Sequence, residues 1–267
     1  MMVLTVDIGN TTVSLCVLER NEAENYAVVF SAKMDTVREK GAVEYQREIQ
    51  VLLGSAGIDA KDLEGAAVSS VVPCLNGQMR DCIHALIGRE AVWITAESKT
   101  GLTLDVPDPS RVGLDRLADA AWAAAHYTLP VVTVDMGTAT TFNVVDEGGV
   151  FRGGVIAAGL GTGLCALTVH ADQLPEIDLF PPDHMIGRDT TECMRSGAVI
   201  GAAVMIDGLA TRIEAELGKP VTLVITGGLA RYVEPLCAHP HIYDPHLLAK
   251  GLALLYEWNA EQLDTEE

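Results

Sequence analysis

Apolar and polar positions divide the chain into short elements. Residues 2–6 form an apolar run, the segment Asp7-Ile8-Gly9-Asn10-Thr11-Thr12 holds polar residues and a glycine, and residues 13–18 are apolar again. That pattern predicts strand, tight turn, strand. A third strand is expected over residues 26–31. Apolar positions Val43, Ile49, Leu52 and Leu53 predict a helix over 41–55, closed by Gly54. The continuous apolar run at 65–72 has the length and character of a buried parallel strand. A helix over 76–88 and a strand over 91–95 follow.

Residues 99–112, with Pro107 and Pro109, read as loop, and 113–126 as an alanine-rich helix. Strands are expected at 131–134, 142–145 and 151–156, with a turn at Glu147-Gly148-Gly149. Residues 160–170 read as a helix, 172–189 as a second proline-containing loop, and 191–217 as one long helix. A strand at 221–225 runs into Thr226-Gly227-Gly228-Leu229-Ala230, and a helix spans about 245–259. The acidic tail 261–267 is expected to fray.

One internal repeat stands out. Val6-Asp7-Ile8-Gly9-Asn10-Thr11-Thr12 is matched by Val134-Asp135-Met136-Gly137-Thr138-Ala139-Thr140, close to half a chain length further on. Each copy sits between two apolar strands. The chain therefore reads as two similar α/β halves facing one another, 1–112 and 113–267, each carrying one such turn.

Composition narrows the function. With 18 Lys and Arg against 37 Asp and Glu the net charge is −19, which argues against a nucleic-acid or anionic-membrane partner. A bound phosphate would have to be held locally, by backbone N–H groups, a cation or a few placed basic residues. The six cysteines show no C-x-x-C pair and no zinc-like spacing, so they are expected to be reduced core thiols of a cytoplasmic protein. No targeting leader and no membrane-spanning run is expected.

The two Asp-x-Gly turns carry the chemistry. Glycine lets the backbone approach a ligand closely. The Asn and Thr residues beside it add donors around exposed N–H groups, a concavity that suits phosphate oxygens. The aspartate adds a hard oxygen for Mg²⁺ or a monovalent cation. Gly227 and Gly228 follow a buried strand and open a helix, where backbone could pass a flat ligand such as adenine. The segment Gly113-Leu114-Asp115-Arg116 opens a helix. There Asp115 could complement the helix dipole, worth about 0.3–1 kcal/mol, or accept a proton from a substrate hydroxyl, with Arg116 on a carboxylate or phosphate. Asp189 or Thr190 could cap the long helix. No hydrolase elbow, P-loop or dinucleotide fingerprint is present.

These motifs, with Ser69-Ser70-Val71-Val72-Pro73, Gly153-Gly154-Val155-Ile156, Ile186-Gly187-Arg188-Asp189-Thr190 and Gly251-Leu252-Ala253-Leu254-Leu255-Tyr256, stand in the order seen in type III pantothenate kinases, and the chain resembles that family from residue 2 to about 259. The resemblance implies an α/β duplicated ribonuclease H-like (actin-like ATPase) fold and a homodimer. It implies transfer of a phosphoryl group from ATP to the primary hydroxyl of pantothenate, the first step of coenzyme A biosynthesis, with Mg²⁺ and a monovalent cation, K⁺ or NH₄⁺. Carried onto this chain, Asp7, Ile8, Gly9, Asn10, Thr11, Thr12, Val13 and Ser14 would line the ATP phosphates, Asp7 also being a Mg²⁺ candidate. Asp115 would be the general base, and Gly113, Leu114, Asp115 and Arg116 would contact pantothenate. Asp135 would hold the monovalent cation, Thr138 would touch ATP, and Thr190 would contact pantothenate, reaching across the dimer.

The chain departs from the family at Val106-Pro107-Asp108-Pro109, where a Tyr-x-Asn-Pro segment is usual, at Ala158-Gly159 in place of Pro-Gly, and at Arg188-Asp189-Thr190 in place of Lys-Asn-Thr. All of these fall near the inferred acceptor site. Two other readings fit the same residues: a kinase of this fold acting on another small hydroxy acceptor, and a nucleotide-binding regulatory relative without turnover. The presence of Asp115 argues against the second.

Overall fold

The computed structural model describes residues 1–21 and 26–260; the acidic tail expected to fray lies outside them. The chain forms two compact units. The first combines Met1–Gly101, Asp108–Trp122 and Leu248–Glu267, and the second Leu102–Pro107 and Ala123–Leu247. The chain thus passes between units several times, where the sequence pattern suggests a single cut after residue 112.

In the first unit, β1 (Met2–Ile8), β2 (Thr12–Arg20), β3 (Tyr26–Asp35), β4 (Gly65–Ser70) and β5 (Val92–Trp93) form one sheet, ordered β3-β2-β1-β4-β5. β1 is antiparallel to β2 and parallel to β4. Helices α1 (Ala42–Ser55) and α2 (Asn76–Ile87) close one face: Tyr45, Ile49, Met79 and Ile83 pack with Leu4, Val6 and Ile8 in a continuous core. Gly65 is paired with Val3, on the opposite face. A Cβ there would lie 2.1 Å from the hydroxyl oxygen of Tyr256, which belongs to α7 (Leu247–Asn259). Alongside, a Cβ on Gly251 would lie 2.2 Å from the carbonyl oxygen of Ala118 in α3 (Leu114–His126), so the two helices cross with backbone nearly touching backbone.

In the second unit, β6 (Thr103–Leu104), β7 (Val131–Met136), β8 (Ala139–Val145), β9 (Val150–Ala158), β10 (Thr222–Thr226) and β11 (His241–Tyr243) form a sheet ordered β11-β10-β7-β8-β9-β6. Its helices are α4 (Leu160–His170), α5 (Thr190–Leu217) and the short α6 (Ala230–Val233). Removing β6 leaves β9-β8-β7-β10-β11, the order and directions of β3-β2-β1-β4-β5 in the first unit. This is the duplicated actin-like α/β architecture that the repeat and the resemblance led us to expect.

The differences from the sequence pattern lie mostly at sheet edges. β6 falls in the stretch read as loop, and β11 was not foreseen; with two and three residues each, neither is long enough to show a period. β3 runs on to Asp35 because it alternates buried and exposed positions at an edge. Among the cysteines, Cys16 and Cys82 are buried and Cys237 is half-buried, but Cys74, Cys165 and Cys193 are exposed, correcting the expectation of core thiols for those three. Helix α5 is long and apolar enough to cross a membrane on length and composition alone. Its Val199, Ala203, Ile206 and Ala210 pack instead with Val132, Phe142 and Ile225 in the core of the second unit.

Two measurements test this packing. Gly251→Ala forces the α3–α7 crossing apart and is expected to destabilise the protein by about 1–3 kcal/mol in denaturant unfolding. Gly54→Ala, in α1 with nothing within 4 Å of its new methyl, is expected to stabilise it by about 0.5–1 kcal/mol. Burial pushes the Cys82 and Cys237 thiols up to about 12. Alkylation at pH 8, mapped by mass spectrometry, is therefore expected to label Cys74, Cys165 and Cys193 well before these two, since thiolate is the reacting form.

Candidate active site

Each central strand ends in one of the two Asp-x-Gly turns. In the first unit the Gly9 N–H donates to the Thr12 carbonyl at 3.0 Å, closing the β1–β2 hairpin. The Thr36 hydroxyl donates to the Gly9 carbonyl at 2.7 Å, and the Thr36 N–H donates to the Thr11 carbonyl at 3.0 Å, so the end of β3 braces the turn. Asn10 and Thr11 are exposed at its tip, while Asp7, Gly9, Thr12 and Ser14 are half-buried. Ile8 and Val13 turn their side chains wholly into the core, which leaves only their backbone groups to a ligand.

Sheet register places polar side chains in a row. Asp7 is paired with Ser14 on β2 and with Ser69 on β4. In the second unit Asp135 is paired with Thr141 on β8 and with Thr226 on β10. Paired residues share a sheet face, so each aspartate is flanked by two hydroxyls. The burial also repeats: Asp7, Ser14, Asp135 and Thr141 are half-buried, and Ser69 and Thr226 are buried. The sequence assigns Ser69 no role of its own; the signal that sets it beside Asp7 is the alignment of the two halves beyond their turns.

Three motifs meet in the second unit. The Gly137 N–H donates to the Ala139 carbonyl at 3.0 Å, forming the β7–β8 turn. The Thr138 carbonyl accepts from the Gly159 N–H at 3.1 Å and from the Thr162 hydroxyl at 2.7 Å, which ties the start of α4 to this turn. Gly227, at φ +103°, lies so close that a Cβ would stand 2.4 Å from Asp135 Oδ1 and 2.4 Å from the Met136 nitrogen. The Leu229 N–H points back to the Met136 carbonyl at 3.4 Å. Asp135, Thr138 and Gly227 are thus brought together, with Gly228 exposed beside them. Thr190 stands outside this set, exposed as the first residue of α5; Asp189 caps the helix by accepting the Glu192 N–H at 2.8 Å.

Among the residues at which the chain departs from the family pattern, Val106 lies 3.8 Å from the Cβ position of Gly153 in β9. Gly154 beside it has backbone in the way: a Cβ would lie 1.7 Å from the Phe142 carbonyl oxygen. The close approach of β9 to β8 thereby explains Gly154, while the left-handed φ of +88° favours glycine at Gly153.

At the start of α3, Asp115 Oδ1 accepts its neighbour Arg116's N–H at 2.8 Å and would lie 2.5 Å from any Cβ on Gly113, so glycine is what lets this carboxylate fold back over the helix end. Arg116 is half-buried. Burial pushes its guanidinium down from the usual value and adjacent Asp115 pushes it back up. Asp119, one turn further on the same helical face, is 1% exposed, a carboxylate that the alanine-rich pattern concealed.

No cluster of three or more His, Cys, Asp and Glu side chains among the described residues is arranged to hold a metal ion. A cation at Asp7 or Asp135 would therefore take one protein carboxylate and fill its remaining positions with phosphate oxygens, backbone carbonyls or water. That is how Mg²⁺ commonly sits on nucleotide phosphates.

The family model described as type III pantothenate kinase matches residues 3–212. The chain belongs to the type III pantothenate kinase family. It is 35% identical over 258 residues to a type III pantothenate kinase of Roseiflexus sp. (strain RS-1), covering 97% of this chain and 99% of that one. It is 36% identical over 258 residues to one of Brevibacillus brevis, again covering 97% and 99%. In fold it is similar to component A of (R)-2-hydroxyglutaryl-CoA dehydratase from Acidaminococcus fermentans, with TM-score 0.56, 14% identity and coverage of 98% and 99%. It is also similar to a ROK hexokinase from Thermus thermophilus, with TM-score 0.50, 17% identity and coverage of 98% and 100%.

The approach of Gly227 to Asp135 gives a test of this geometry. Gly227→Ala combines a left-handed backbone with a side chain in the space of Asp135 and Met136. It is expected to lower stability by at least about 2 kcal/mol in denaturant unfolding.

Proposed function

We propose that the protein transfers the γ-phosphoryl group of ATP to the primary hydroxyl of pantothenate, forming 4′-phosphopantothenate and ADP, the opening step of coenzyme A biosynthesis. Membership of the type III pantothenate kinase family, at 35% identity over nearly the full length of both chains, carries this reading. The duplicated pair of Asp-x-Gly turns supports it, because phosphoryl transfer needs positioning and charge neutralisation and little covalent chemistry from the protein.

In this reading the backbone N–H groups of the Asp7–Ser14 segment and the side chains of Asn10, Thr11, Thr12 and Ser14 line the ATP phosphates. Mg²⁺, when bound, neutralises charge on the phosphate oxygens, and Asp7 is the carboxylate that faces it. Asp135 faces the monovalent cation, K⁺ or NH₄⁺, and Thr138 touches the nucleotide. Gly227 and Gly228 give the adenosine a side of bare backbone. Gly113, Leu114, Asp115 and Arg116 bind pantothenate. Asp115 takes the proton from its hydroxyl as that oxygen attacks the γ-phosphorus and the bond to the β-phosphate oxygen breaks. The Arg116 guanidinium, charged at any physiological pH, pairs with the pantothenate carboxylate or the moving phosphoryl group.

The protein works as a homodimer in the cytoplasm, where ATP is supplied. The second unit exposes the apolar side chains Ile156, Leu167, Val169, Met185, Ile186 and Val204, with Ile186 at 83%, and exposed apolar side chains of this kind suit contact with a second copy. Thr190, exposed at the head of α5 on that same unit, reaches the partner's pantothenate.

Turnover of ATP with and without pantothenate, in K⁺ and in Na⁺ buffer, tests the reading. Pantothenate-dependent turnover, faster in K⁺, is expected, and Asp115→Asn is expected to lower kcat about 10²- to 10⁴-fold. ATP binding with no pantothenate-dependent turnover would overturn the assignment of the acceptor.

A further inference from the structure

Ser69 is wholly buried, and its hydroxyl has no hydrogen-bond partner. Its neighbour shows what a serine at a strand end does for a fold. The Ser70 hydroxyl donates to Asn76 Oδ1 at 2.7 Å and accepts the Val72 N–H at 3.1 Å, shaping the turn into α2. On the same sheet face as Asp7, one pleat back, the Thr5 hydroxyl donates to the Cys16 carbonyl at 3.4 Å. Ser69 has no such task. A buried hydroxyl left unsatisfied is destabilising, so for folding alone alanine would serve better at this position.

The register supplies a use for it. Ser69 stands directly beside Asp7 on the parallel neighbour of β1. Adjacent strands are about 4.8 Å apart, and since the hydroxyl has no direct partner in the protein, it reaches the carboxylate through one bridging water. The second unit repeats the arrangement with Thr226 beside Asp135, equally buried and also on the parallel neighbour of the central strand. A hydroxyl beside the aspartate is thus common to both halves, although the residues that follow it, Ser70-Val71 and Gly227-Gly228, have nothing else in common.

We propose that Ser69 is a positioning residue for Asp7. Its hydroxyl donates through a single bridging water to one carboxylate oxygen, and so holds the other oxygen toward the Mg²⁺ of the bound nucleotide. Fixing the carboxylate before the ligand arrives lowers the ordering cost of binding. The inference rests on the reading of Asp7 as the carboxylate at the nucleotide's cation.

Calorimetric binding of ADP, in a Mg²⁺ series and in EDTA, tests it on wild type, Ser69→Ala, Ser69→Thr, Asp7→Asn and the Ser69→Ala/Asp7→Asn pair, with thermal unfolding of each ligand-free protein. Ser69→Ala is expected to weaken Mg²⁺-dependent ADP binding about tenfold. It should leave binding in EDTA unchanged, and should unfold at the same or a higher temperature. It is expected to add nothing in the Asp7→Asn background. Ser69→Thr, which installs the hydroxyl residue of the second unit, is expected to keep wild-type affinity. Wild-type Mg²⁺-dependent binding by Ser69→Ala, or an equal loss with and without Mg²⁺, overturns the inference while leaving Asp7 in place. Wild-type binding that does not respond to Mg²⁺ overturns the role of Asp7 itself, and the inference with it.

Discussion

The central strand of each sheet is shared between two partners of opposite kind, and the site residues inherit their positions from that arrangement. β1 and β7 each pair antiparallel on one side and parallel on the other. The antiparallel partner forces a tight turn at the C-terminal end of the strand, and the parallel partner ends at the same edge. An aspartate just before the turn is therefore held beside two neighbours whose identities the register decides. A shift of one residue in either pairing would send the aspartate's neighbours to the opposite face. The apolar runs Val3–Val6 and Val131–Val134, buried throughout, hold the register in place.

Several glycines in the motifs answer to backbone contact within the protein as much as to any ligand. Gly227 lies against Asp135 and Met136, Gly154 against Phe142, Gly251 against Ala118 and Gly65 against Tyr256. Each marks a place where two elements approach more closely than a methyl group allows. The TGG turn is the clearest case. Its first glycine sets the distance between the strand end of β10 and Asp135, so one residue links this turn to the second Asp-x-Gly turn.

The charge of −19 gives the local arrangement its importance. Long-range attraction cannot gather a polyanionic ligand onto such a chain. Binding must come from directed N–H groups, hydroxyls and cations at short range. The turns supply the first two. Among the described residues no three His, Cys, Asp or Glu side chains cluster to hold a metal ion, so a cation would share its coordination with phosphate.

Much of this was legible in the residues themselves. Strand–turn–strand units flanking the Asp-x-Gly turns, the buried strand at β4, and helices α1, α2, α4 and α5 follow from hydrophobic period and turn chemistry, because those signals are local. The duplication followed from two copies of one short motif. The motifs also sufficed to suggest the family and to nominate Asp7, Asp115 and Asp135. Tertiary structure decided what depends on contacts between distant segments. It assigned the last helix to the first unit, formed β6 and β11 as edge strands too short to carry a period, and exposed three cysteines that apolar neighbours had suggested were buried. It also placed Ser69 beside Asp7 and Thr226 beside Asp135. A pairing between strands tens of residues apart leaves no mark on either strand, because register is set by which side chains pack together and not by the order in which they occur.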